Sequence, residues 1–213
     1  MKKIVVLVSG NGSNLQAIID ACQNGKIAAQ IAAVVSNKPG VYALERAQLA
    51  HIPTHVIDHH TYATREQFDV AVANIIDQYQ PDLIVLAGYM RILTASFVEH
   101  YAGKMLNIHP SLLPKYPGLN THQRAIDAKD SVHGTTVHFV TEQLDGGPII
   151  LQAKVPIFPE DEVVDIAQRV VTQEHLIYPL VIKWFIDGRL QMRQDKAYLD
   201  DQLLPELGFS SDD

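Results

Sequence analysis

Ile4-Val5-Val6-Leu7-Val8-Ser9-Gly10-Asn11-Gly12-Ser13-Asn14-Leu15-Gln16 is the stretch on which the fold turns. Its first five residues are apolar and mostly β-branched, the texture of a strand buried on both faces of a parallel sheet. A glycine-rich turn follows. Residues 14–24 then place Leu15, Ile18, Ile19 and Cys22 on one helical face. Outward from this unit the alternation repeats. Strands are expected at 31–36, 54–57, 83–87 and 105–109. Helices are expected through Leu44, Ala47 and Leu49, over 64–79 with Phe68, Val72, Ile75, Ile76 and Tyr79 inward, and over 97–101. Strands alternating with helices predict an α/β fold, a doubly wound, mostly parallel sheet of Rossmann-like order.

Past residue 110 the texture changes. Pro110, Pro114, Pro117 and Gly118 predict an irregular loop, and 121–128 a short helix. Two β-rich runs, 134–140 and 148–155, flank Leu144-Asp145-Gly146-Gly147, which reads as the turn of a C-terminal β-hairpin. Residues 162–185 read as a long helix interrupted near Pro179. The expected organisation is one domain over 1–213, with halves at 1–110 and 111–195. Residues 196–213 are expected to be a polar tail without a motif, fraying at 210–213.

Composition narrows the function. With 213 residues, 47% hydrophobic and 19% charged, the chain can bury a sizeable core. A formal net charge of −7 argues against binding nucleic acid through its phosphates, without excluding a local pocket for one phosphate. One cysteine, Cys22, allows no internal disulfide. The apolar run 4–8 is too short for a membrane span, and the glycine turn behind it is no signal-peptide cleavage site. The expectation is a cytoplasmic enzyme or binding module without membrane or nucleic-acid partners.

Two places carry chemistry. In the first loop, glycines let backbone N–H groups approach an anion at a helix N-terminus. No Gly-Lys-Ser/Thr follows, so this is not a Walker loop. Leu15 stands where a dinucleotide fingerprint needs its third glycine, which favours a monophosphate. A tight turn with Ser or Asn capping a helix accounts for the same residues. In the strand at 105–109, Asn107 and His109 share a face by alternation, at the carboxyl end where α/β sheets bind ligands. Asn107 can stabilise an oxyanion, and His109 can donate or accept a proton. Asp145, in its glycine-rich turn, can point a carboxylate inward, and a carboxylate beside an imidazole fixes its tautomer. A turn cap, a core histidine and a hairpin residue remain the alternative for these three.

Ten histidines raise a metal, but no ligand spacing supports one. Pro53 separates His51 from His55, and adjacent His59 and His60 suit neither a strand face nor a helix face. No metal site is expected.

The residues also carry a family resemblance. Asn107-Ile108-His109-Pro110-Ser111-Leu112-Leu113-Pro114, His138 and Leu144-Asp145-Gly146-Gly147-Pro148-Ile149 resemble the signature of the folate-dependent formyltransferases. The first loop and Gly88-Tyr89-Met90-Arg91-Ile92-Leu93 extend the match over nearly the whole chain. The resemblance implies direct formyl transfer from 10-formyltetrahydrofolate, a co-substrate, to the amine of 5-phosphoribosylglycinamide in purine synthesis, with Asn107, His109 and Asp145 catalytic. It implies that Gly12, Ser13, Asn14, Val171, Thr172, Gln173 and Glu174 hold the ribonucleotide. It implies a folate pocket of Arg65, Met90, Arg91, Ile92, Leu93, Asn107, Thr141, Glu142, Gln143, Leu144 and Asp145. Some members carry histidine where this chain has Asn120, so one auxiliary substrate contact differs.

Sister reactions compete with this expectation. A methionyl-tRNA formyltransferase should add a basic C-terminal RNA-binding domain, and a formate-releasing hydrolase an N-terminal regulatory domain. The acidic end of this chain and its start at the first strand match neither. A non-enzymatic nucleotide-binding module leaves Asn107, His109 and Asp145 without a use. Monomer and homodimer both stay open.

Overall fold

In the computed structural model, which describes residues 1–210, the chain divides into two units, Met1–Asn107 and Ile108–Asp213. The first holds β1 (Lys2–Val8), α1 (Ser13–Gln23), β2 (Ala29–Ser36), α2 (Tyr42–Leu49), β3 (Thr54–Val56), α3 (Arg65–Tyr79), β4 (Leu83–Ala87), α4 (Ala95–His100) and most of β5 (Met105–His109). Its strands run in the order β5-β4-β1-β2-β3, all parallel. All five side chains from Ile4 to Val8 are 0% exposed, which makes β1 the centre of the core. Burying each contributes about 1.5–3 kcal/mol. The strand order reverses between β1 and β4, so the loops leaving their carboxyl ends flank a switch point, where such sheets bind ligands.

The second unit holds α5 (Thr121–Asp127), β6 (Val132–Phe139), β7 (Ile149–Pro156), α6 (Val163–Ile186), β8 (Leu190–Arg193), β9 (Lys196–Leu199), β10 (Gln202–Leu203) and β11 (Phe209–Ser210). Strands β6 and β7 pair antiparallel, as the hairpin expectation required. Their connection is longer than a tight turn, because regular pairing stops at His138 and Ile149. On its other side β7 pairs with β11 in parallel.

Two expectations need correction. The long helix is not interrupted: α6 runs unbroken through Pro179. Proline there cannot donate to the carbonyl of His175, but buried Ile177, Tyr178, Val181 and Ile182 on either side hold the helix together. The expected polar tail is strand over much of 196–210. Gln194 and Asp195 both take positive φ (50° and 57°), as do Asp200 and Asp201 (52° and 61°). Two-residue loops of this kind match the twist of hairpins. They fold β8, β9 and β10 into a small antiparallel sheet with Ala197 and Leu199 inward. Fraying is expected over 210–213: Ser210 instead lies in β11, and 211–213 lie outside the described residues.

Candidate active site

The first loop leaves β1 and enters α1 at Gly12, whose φ of 80° is left-handed. A Cβ there would stand 2.6 Å from that of Ala43, so only glycine fits against α2. No acidic residue occupies the first turn of α1. Its leading N–H groups therefore meet no competing carboxylate, and the positive end of the helix favours an anion. Ser13 and Asn14 are half-buried in that turn.

The segment after β4 is fastened at both ends. The buried Ser9 hydroxyl donates to Asn37 Oδ1 at 2.5 Å and accepts from the Met90 N–H at 2.8 Å. Four residues past Met90, the Thr94 N–H donates to Oδ2 of buried Asp69 at 2.8 Å. Between these ties lie Met90 and Ile92, each 57% exposed, with half-buried Arg91 and Leu93. Exposed apolar side chains on a pinned backbone are what an apolar ligand needs. Arg91 stacks over Phe68 at 5.2 Å, and its buried Nε has no hydrogen-bond partner among the described residues. Arg65 is exposed at the start of α3.

Asn107 is half-buried near the end of β5, in register with Leu86. Two residues on, the His109 side chain is 8% exposed. Its Nε2 lies 2.7 Å from the Tyr116 carbonyl oxygen, which can only accept, so Nε2 carries a hydrogen. The opposite nitrogen, Nδ1, faces Asp145 Oδ2 at 3.6 Å, an ion-pair separation longer than a hydrogen bond. The Gly118 N–H donates to the same carboxylate oxygen at 2.9 Å. Asp145 has φ 50°, and a Cβ on Gly147 would lie 1.8 Å from the Phe139 carbonyl oxygen. Glycine is thus obligatory where the turn folds back on β6. The Thr135 hydroxyl lies 3.0 Å from the His109 carbonyl oxygen and 3.3 Å from Glu174 Oε1, tying β5, β6 and α6 together.

The other expected residues sit as follows. Glu174 is buried on α6, while Val171 and Gln173 are half-buried. Thr172 is exposed and gives its hydroxyl to the Gln168 carbonyl at 2.9 Å, since four successive helical positions cannot share one face. Glu142, Gln143 and Leu144 are exposed before Asp145, and Thr141 is half-buried. Cys22 is half-buried, and burial pushes its thiol up to about 11, away from nucleophilic use. Burial also lowers the fully enclosed His138 imidazole below its ordinary value.

The formyl transferase family model matches residues 2–182. The chain belongs to the formyl transferase family. It is 59% identical over 210 residues to the phosphoribosylglycinamide formyltransferase of Escherichia coli (strain K12), covering 99% of each chain. It is 45% identical over 193 residues to the trifunctional purine biosynthetic protein adenosine-3 of Homo sapiens, covering 91% of this chain and 19% of that protein. Among solved structures, the phosphoribosylglycinamide formyltransferase from Coxiella burnetii superposes with a TM-score of 0.94 at 51% identity, over 98% of both chains.

Several supports of this formyl transferase's site escaped sequence reading. Ser9 holds the Met90 backbone, Thr135 and the Tyr116 carbonyl hold His109, and the Gly118 N–H holds Asp145, while Asn37 braces Ser9 and Asp69 fastens Thr94 beside Leu93. The one sequence cue was a polar residue inside an apolar pattern, as at Asp69 between Phe68 and Val72. Adjacent His59 and His60, expected to suit neither a strand face nor a helix face, lie on a 3₁₀ turn, where their ring centroids are 3.9 Å apart with the planes tilted by 35°. With Asp58 they bring ligand atoms within 4.8 Å of one another. Asp58 there caps the turn by accepting from the His60 N–H at 3.0 Å, and His59 Nδ1 lies 3.1 Å from the Asn37 carbonyl oxygen.

Proposed function

We propose that this chain transfers the formyl group of 10-formyltetrahydrofolate directly to the amine of 5-phosphoribosylglycinamide, giving formylglycinamide ribonucleotide and tetrahydrofolate in purine synthesis. The carrying observation is His109, buried, with its tautomer set by a backbone carbonyl and its other nitrogen turned to Asp145. The reaction needs no metal and no covalent enzyme intermediate. The substrate amine attacks the formyl carbon, whose oxygen gains negative charge as the carbon becomes tetrahedral. The Asn107 amide and a protonated His109 stabilise that oxygen. Asp145 supports the imidazolium and organises a water that takes the amine proton. Collapse of the intermediate breaks the bond between the formyl carbon and the folate nitrogen, which takes up the proton released from the amine and leaves as tetrahydrofolate.

Gly12, Ser13 and Asn14 receive the substrate phosphate, with the α6 positions 171–174 as further ribonucleotide contacts. Met90 to Leu93, Arg65 and the 141–145 turn take the folate. The pinned backbone at Met90 and Thr94, the exposed apolar side chains of Met90 and Ile92, and an Arg91 Nε without a hydrogen-bond partner among the described residues support that choice. Both partners are small molecules.

The test is tetrahydrofolate release by purified protein with and without the ribonucleotide. Release that strictly requires the ribonucleotide supports transfer. Equal release in its absence means a hydrolase, and formylation of methionyl-tRNA means the other sister reaction.

A further inference from the structure

The geometry points to Arg46 as a positioning residue for the ribonucleotide phosphate, acting through the loop that receives it. This rests on the proposed reading of Gly12, Ser13 and Asn14 as the phosphate seat. Helix α2 lies across that loop, with the Ala43 N–H donating to the Gly10 carbonyl at 3.1 Å. One turn later Arg46 reaches back. Its Nε donates to the Asn11 carbonyl oxygen and its Nη2 to Asn11 Oδ1, each at 2.9 Å. Two parallel bonds from one planar fork to one residue fix direction as well as distance. The guanidinium also lies 4.5 Å over the Tyr42 ring, which narrows the conformations it can take. Its remaining nitrogen, Nη1, stands 3.4 Å from Gln16 Oε1 on the first turn of α1.

Charge acts in the same direction. Arg169, Arg189 and Arg193 each face an aspartate, at Asp161, Asp200 and Asp201. Arg46 is in no ion pair among the described residues, and all its bonds go to neutral oxygens. Its positive charge is therefore uncancelled beside a helix N-terminus whose first turn carries no acid. A loop ordered by a cation and left net positive is preorganised for a dianion before the substrate arrives. Ordinary surface arginine chemistry does not need the Asn11 fork, whereas an anion seat needs both the loop shape and the charge.

Steady-state kinetics of the full chain, with Arg46→Met, Arg46→Lys and Ser13→Asp, test this. Arg46→Met keeps the apolar stem over Tyr42 but loses the fork and the charge. It should raise KM for the ribonucleotide about ten- to hundredfold, with kcat and the folate KM within about twofold of wild type. Arg46→Lys, which keeps the charge without the fork, should fall between, and it guards against a folding failure of the methionine variant. The salt dependence of the ribonucleotide KM should weaken in Arg46→Met and persist in Arg46→Lys. An unchanged ribonucleotide KM in Arg46→Met, or an equal rise for folate, overturns the inference. If Ser13→Asp weakens the ribonucleotide while Arg46→Met does not, only the role of Arg46 fails. If Ser13→Asp leaves the ribonucleotide untouched, the phosphate seat itself is misplaced and the inference falls with it.

Discussion

The Nε2 of His109 donates to the Tyr116 carbonyl oxygen across 2.7 Å, and this contact decides which way the imidazole presents its chemistry. Tyr116 holds that carbonyl in place from a left-handed conformation, φ 55°. Its hydroxyl is fastened to Asp130 Oδ2 at 2.6 Å. A non-glycine residue in that region is strained by about 1–3 kcal/mol and persists only where its surroundings over-determine it. Here the surroundings are the Asp130 bond and the Ser111 hydroxyl, which donates to the Lys115 carbonyl at 2.6 Å.

Replacing His109 with alanine should therefore remove polar catalysis while leaving the substrate sites in place. Turnover is expected to fall by about two to four orders of magnitude, the usual scale for a general acid or oxyanion group. Ligand affinities measured by calorimetry should stay near wild type. A folded variant with near-normal turnover would remove His109 from the mechanism.

Asp145→Asn keeps an oxygen to accept from the Gly118 N–H but removes the charge facing His109 Nδ1. Alone it should slow turnover. Combined with His109→Ala it should add almost nothing, because residues acting as one unit are non-additive. A double-mutant cycle in which the two losses simply multiply would assign Asp145 a separate task, such as holding the 116–118 backbone.

Ser13→Asp puts a carboxylate into the first turn of α1, against the proposed phosphate. The ribonucleotide should weaken about tenfold or more and the folate hardly at all, as expected for like charge at an anion seat. Titration of each ligand into wild type and variant decides it. Loss of folate alone would mean that the two substrates are placed the wrong way round.

Stability should depend on pH through a pair of histidines outside the proposed chemistry. His133 is 1% exposed, and burial pushes its imidazole down to about 4. His122, whose Nδ1 lies 3.0 Å from His133 Nε2, is lowered by burial as well. The folded pKa values lie below the unfolded ones. As pH falls below about 6.5, the unfolded chain binds protons that the folded chain refuses. The stabilisation is complete above that pH and is lost progressively toward pH 4, on the order of 1–3 kcal/mol. Urea midpoints should drop between pH 7 and 5, and the slope should flatten in His133→Gln. Parallel pH curves for the two proteins would contradict this account.

The order of elements in the first unit was legible because β1 and β4, and most of β2, are buried on both faces and so are written as apolar runs, whereas the short β3 is only partly buried. Asn107 and His109 stood out for the same reason: polar residues at alternating positions interrupt such a run. The geometry around His109 was not legible. The Tyr116 carbonyl and the Gly118 N–H are backbone groups, and any residue carries them. The C-terminal sheet was missed because its turns use Gln194-Asp195 and Asp200-Asp201 in place of a glycine pair. Pro179 misled in the other direction, since the cost of one missing hydrogen bond is offset by packing that a linear reading does not see.

Strand β11 has a consequence for how the chain is made. Its two residues, Phe209 and Ser210, lie along Leu151 and Gln152 of β7. Gly208 enables the approach, since a Cβ there would meet the Ile150 carbonyl oxygen at 2.5 Å. On a ribosome, β7 emerges more than fifty residues before the segment that flanks it. Throughout that interval a strand rich in unpaired backbone groups stands open to other nascent chains. A stall anywhere between α6 and residue 208 leaves the edge of β7 at Leu151 and Gln152 uncovered, although β6 already pairs with its other side.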